Sequence, residues 1–161
     1  MTDRVKIVFA VFVFLLALLL PWVGLGVGWY NWDFQTGIVL MLATFIALLI
    51  LGGLALWRVK DLNWLAVSLP YLLSVGYTVG PDPILLGADD AAVTVLGSLM
   101  TYALALRRDP NTPRWILIPL LAAAVYVFFG GVIPGGLDEL LVNLVAFAVA
   151  TAGASRTAKE A

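Results

Sequence analysis

The 161 residues are 63% hydrophobic and 12% charged, with a mean hydropathy of +1.04, whereas soluble domains are roughly 45–50% apolar; the composition is that of an integral membrane protein. Cysteine and histidine are both absent, which removes disulfides, thiolate metal sites and the commonest general base. A net charge of −1 and a pI near 5.1 give no sign of nucleic-acid binding, which needs a basic face to neutralise phosphates, so nucleic acid is not an expected partner.

The chain opens with Thr2, Asp3, Arg4 and Lys6 and then runs from Ile7 to Leu20 without a charge, a pattern that also begins signal peptides. No A-x-A-like cleavage site follows, so residues 5–26 are expected to stay as a first span. A loop over 28–35 carries Trp29, Tyr30 and Trp32, rings that suit the headgroup zone, together with Asp33. A second span is expected over 36–57, close to the ~20 residues that cross ~30 Å of hydrocarbon. Spans three (62–79) and four (89–106) are near the short limit of about 17 residues and flank an acidic Gly/Pro turn. After R-D-P-N-T-P-R at 108–114 a fifth span covers 115–129, G-G-V-I-P-G-G turns the chain, and a sixth covers 137–153, leaving a polar tail expected to fray. The predicted fold is all-α: a polytopic membrane helical bundle of six transmembrane helices forming one integral membrane domain.

A period of 49 residues organises these spans. It separates Pro21 from Pro70 and Pro70 from Pro119, and equally Arg58 from Arg107 and Arg107 from Arg156. The same step carries Asp33 to Asp82 and Asp89 to Asp138. Three tandem helical hairpins are therefore expected, over 5–58, 62–108 and 113–156. The charges fit six spans: all nine basic residues fall on the side of the two termini and the loops 58–61 and 107–114, while Asp33, Asp82, Asp89, Asp90, Asp138 and Glu139 fall opposite. Lys and Arg in short loops mark the cytoplasmic side, so both termini are expected to be cytoplasmic in the plasma membrane of a prokaryote.

A proline inside a span deletes a backbone hydrogen bond, so Pro21, Pro70 and Pro119 are each expected to kink the first helix of a hairpin, as packing features or to free carbonyls toward a polar cavity. Asp89-Asp90 and Asp138-Glu139 begin the fourth and sixth spans. As hydrated helix caps they complement the positive helix end; as paired carboxylates they are the candidate cation site, or a proton-handling dyad. Thr94, Ser98, Thr101 and Asn143 are uncharged polar residues within the spans; the first two, one turn apart, are expected to bond between helices. Gly52-Gly53, Gly97 and the alanine-rich sixth span offer small-residue faces for close helix approach.

The hairpin whose first helix carries a proline followed by an aromatic, Leu20-Pro21-Trp22 and Leu69-Pro70-Tyr71, decaying to Ile118-Pro119-Leu120, resembles the two-span unit of the SPW-repeat membrane proteins. R-D-P-N-T-P-R at 108–114 and L-G-A-D-D at 86–90 look like the YkvA-like membrane family. Neither resemblance implies an activity. No charged residue lies near a span centre, so an enzyme is not expected, and no catalytic residue or cofactor is assigned. The expected role is that of an accessory or scaffold subunit in the lipid bilayer, packing against other membrane protein subunits or copies of itself. The alternative is a small transporter or channel with an acidic external face.

Overall fold

The computed structural model describes residues 2–78, 88–129 and 137–160, without the side chains of 88 and 154–160. The described chain is all-helical: α1 (Asp3–Asn31), α2 (Phe34–Trp57), α3 (Trp64–Thr78), α4 (Ala88–Arg108), a single 3-10 turn (Arg114–Ile116), α5 (Leu117–Phe129) and α6 (Leu137–Glu160). By length and composition α1, α2 and the part of α4 from Asp89 can each cross a membrane. The 15 residues of α3 rise only about 22 Å at ~1.5 Å per residue. Of the turn expected over 80–88, residues 80–87, and with them Asp82, lie outside the described residues, as do the turn over 130–136 and the side chain of Arg156.

Local sequence accounts for most helix ends. Asp33 caps α2, its Oδ1 accepting from the Thr36 amide at 2.7 Å, a bond that holds the carboxyl below its ordinary pKa. Asn63 does the same for the Ala66 amide at the start of α3. Arg107 and Arg108 close α4, where cations complement the exposed carbonyls. Beyond it, the Thr112 hydroxyl donates to the carbonyls of Ala105 and Asp109. Two boundaries depart from expectation. The loop placed over 28–35 shrinks to Trp32 and Asp33, because α1 continues through Gly26 and Gly28 to Asn31. The tail expected to fray after 153 keeps a helical backbone to Glu160, in keeping with its Ala, Arg, Lys and Glu content.

The chain divides into two compact units, Met1–Leu73 and Ser74–Ala161, with α3 running from one into the other. In the first, α1 and α2 pack as a pair. Ala10, Val13, Phe14 and Ala17 meet Met41, Phe45, Leu49 and Leu56 in the interior, at the three- and four-residue spacing of one helical face. The outer faces expose Val8, Phe12, Leu15, Leu19 and Val23 on α1, and Val39, Ile46, Ile50 and Leu54 on α2. Lipid tails are as apolar as leucine, so inside a bilayer such a pair is held by close packing more than by a hydrophobic drive. Glycines supply it. A Cβ on Gly28 would lie 2.6 Å from Gly37 Cα, and one on Gly37 would lie 2.7 Å from the Leu25 carbonyl oxygen. At the other end of the pair, a Cβ on Gly52 would collide with the Phe14 ring.

A clasp ties the first turn of α1 to the segment after α2. Lys6 Nζ donates to Asp3 Oδ1 and to the Arg58 carbonyl, both at 2.8 Å. Asp3 Oδ2 accepts from the amides of Lys60 at 2.9 Å and Asp61 at 3.4 Å. The Lys6 ammonium, and after it the Lys60 amide, hold the Asp3 carboxyl below its ordinary range.

In the second unit α5 packs against both α4 and α6, burying Leu120, Ala123, Ala124 and Val127. Gly153 of α6 receives the Trp115 indole, which a Cβ there would strike. The prolines are not equivalent in position. Pro21 and Pro70 are buried within α1 and α3, whereas Pro119 is the third residue of α5, in the first turn, where a missing amide hydrogen breaks no intrahelical bond.

Candidate functional site

The residues that sequence alone marks for chemistry gather at the starts of α4 and α6. Asp89 and Asp90 occupy the first turn of α4, and Asp138 and Glu139 that of α6. Hydrated caps would leave them open to water, but Asp89, Asp90 and Asp138 are only 3%, 6% and 8% exposed. The expectation of hydrated caps is therefore corrected. The physical reason lies in residues the sequence reading passed over: Tyr77 of α3 donates its hydroxyl to Asp89 Oδ2 at 3.2 Å, and Tyr126 of α5 donates to Asp138 Oδ2 at 3.0 Å. A carboxyl group leaves water without a large penalty only where donors replace its hydration.

The two pairs share one design. Each links the last turns of one helix to the first turn of the next, across twelve positions of sequence. Tyr77 and Tyr126 are 49 residues apart, and so are Asp89 and Asp138. That register was available in the sequence as a repeated tyrosine, but spacing gave no sign that hydroxyl and carboxylate meet. Among the described residues no group of three or more His, Cys, Asp or Glu side chains is placed to hold a metal ion; a calcium-like ion takes about 6–8 oxygens.

The uncharged polar residues are buried too. Thr94, Ser98 and Thr101 follow Asp90 on one face of α4, and Asn143 is fully buried on α6. The expectation that Thr94 and Ser98 bond between helices is corrected as well. Ser98 Oγ returns to the Thr94 carbonyl of its own helix at 2.7 Å, the local bond that short hydroxyl side chains readily make. The Thr94 hydroxyl is buried with no hydrogen-bond partner among the described residues. Asn143 Nδ2 likewise donates within its helix, to the Glu139 carbonyl at 2.9 Å. Ser74 of α3 does bond to a neighbouring helix, its Oγ donating to the Val93 carbonyl of α4 at 2.9 Å.

The aromatic residues Trp29, Tyr30 and Trp32 are exposed at the end of α1, and Trp29 meets Phe34 edge to face with ring centroids 5.5 Å apart. Rings with a polar edge and an apolar body are suited to the membrane–water boundary. Of the basic residues marked by the repeat, Arg58 caps the end of α2 and Arg107 lies in the last turn of α4. Comparison with protein-family models, with curated proteins and with solved structures finds no match to this chain.

Proposed function

We propose that the chain is a six-span protein of a prokaryotic plasma membrane, built as three tandem hairpins with both termini cytoplasmic, and that it serves as an accessory or scaffold subunit packing against other membrane proteins. The observation that carries this reading is the direction of the polar groups between α3 and α6. Tyr77 to Asp89, Ser74 to Val93 and Tyr126 to Asp138 are all bonds between helices, so these groups serve as internal fasteners. The outer faces of α1 and α2 meanwhile present continuous apolar surface to lipid or to another span.

Two features support the repeat. Besides the paired Tyr–Asp bonds, the corresponding positions of the first hairpin are Gly28 and Leu40, and a Cβ on Gly28 would stand 3.1 Å from Leu40 Cδ1. The same two positions thus face each other in all three hairpins. Phe45, Thr94 and Asn143, again 49 residues apart, are all fully buried. The SPW-like reading of Leu20-Pro21-Trp22 and Leu69-Pro70-Tyr71 belongs to the same proposal.

Extraction of native membranes with a mild detergent tests the role. The particle is expected to hold the 17.3 kDa chain in fixed ratio with another subunit, and a lone monomer across detergents would overturn the scaffold reading. The buried stripe of Asp90, Thr94, Ser98 and Thr101 favours a small transporter as the second reading; ion flux in proteoliposomes that is abolished by Asp90→Asn would select it. The topology has its own test. Reporters fused after Ala161 or at Arg108 should be cytoplasmic, and one inserted at Gly135 external; an external C-terminus would mean an odd number of spans.

A further inference from the structure

Within the unit Met1–Leu73, an apolar cleft of about 170 Å³ runs between α1 and α3. Val11, Leu15 and Leu18 form one wall, Leu69 and Leu72 the other, and Phe14 is buried at its base. The mouth is open, because Val11 and Leu15 are exposed. A bilayer offers such a cleft acyl chains, but every lipid has those, so the apolar walls confer no choice between lipids. Any selectivity must come from the headgroup end.

That end is basic, and its geometry is fixed. Arg4, Val8, Val11, Leu15 and Leu18 fall at alternating steps of four and three, so Arg4 continues the stripe that lines the cleft. It stands seven residues from Val11, about 10 Å along the helix axis at ~1.5 Å per residue. The clasp brings two further cations to the same end: Lys6 holds the Arg58 carbonyl, and Asp3 holds the Lys60 amide. Arg4, Arg58 and Lys60 are exposed. Asp3 is already paired with Lys6, and Asp61 is the other carboxylate on this segment. Four cations against two carboxylates leave an excess of positive charge above an apolar slot. The exposed Trp57 nearby is a residue of the headgroup zone.

We infer that this cleft seats one acyl chain of an anionic phospholipid, whose phosphate headgroup rests on Arg4, Arg58 and Lys60. Basic pockets between membrane helices recognise anionic headgroups by charge, and a lipid held this way stabilises the folded chain by mass action. The assignment depends on membrane embedding alone and is independent of the scaffold reading.

The test is native mass spectrometry of the full purified chain with equimolar dioleoyl phosphatidylglycerol and dioleoyl phosphatidylcholine, which differ only in the head. The chain is expected to retain one phosphatidylglycerol with at least tenfold preference, and its melting temperature should rise with that lipid alone. The triple variant Arg4→Gln, Arg58→Gln, Lys60→Gln changes only exposed side chains and should lose the preference while still folding. Leu15→Trp, which fills the mouth, should lower retention of both lipids. Equal retention of the two lipids by the unaltered chain would overturn the inference, as would a preference that survives the triple variant. Full phosphatidylglycerol retention by Leu15→Trp would remove the cleft from it.

Discussion

Replacing Gly28 by alanine is expected to destabilise the chain by about 1–3 kcal/mol, while the same change at Gly26 should be neutral or mildly stabilising. Both substitutions offer the same gain in helix propensity, up to about 1 kcal/mol, so the difference isolates the contact. At Gly26 a Cβ meets nothing within 4 Å; at Gly28 it would lie 2.6 Å from Gly37 Cα and 2.7 Å from Gly37 N. Those are backbone atoms, and no rotamer change relieves them. The two helices must separate, and the interior contacts of Met41 and Phe45 loosen with them. Thermal melting of the two variants in one detergent decides the matter, and indistinguishable curves would refute the close crossing.

The second large effect is expected at the tyrosines. Tyr77→Phe should cost about 1–3 kcal/mol, and Tyr126→Phe should lower the melting temperature in the same direction, since each strips a hydroxyl donor from a buried carboxyl group. The same change at Tyr30, which is 90% exposed, provides the control and should leave melting unaltered. A double-mutant cycle of Tyr77→Phe with Asp89→Asn should return a coupling of about 0.5–3 kcal/mol, and the cycle of Tyr126 with Asp138 a coupling of the same sign. A coupling in one hairpin without the other would argue against equivalence of the two pairs.

Most helices were legible from hydropathy and punctuation, because α2, α3 and α4 begin and end at residues with a local reason to be there: Asp33, Asn63, and Arg107 with Arg108. The end of α1 was not legible. A run of glycines reads as a loop, and only the presence of Gly37 on a neighbouring helix reveals that small residues were placed there for close approach. The acids were legible as first-turn residues but not as buried ones, since burial depends on Tyr77 and Tyr126, which sit twelve positions earlier and look like ordinary apolar-helix aromatics. The hydroxyl row on α4 is legible as a set from its helical spacing, whereas its burial and its bonds, which turn inward to its own backbone at Ser98, depend on packing and rotamers that spacing does not encode.

The clasp between Asp3, Lys6 and the segment at 58–61 also bears on the order in which the protein is made. Its bonds link residues 52 to 58 positions apart, and α1 and α2 find their close-packed partners in each other. Everything that closes the first hairpin has therefore been synthesised by Asp61, before α4 exists. A nascent chain threaded into the membrane from its N-terminus can latch this hairpin at both ends while translation continues. The later helices would then be laid down beside an element that is already locked, which limits the exposure of the glycine-rich end of α1 to mispairing with any other span.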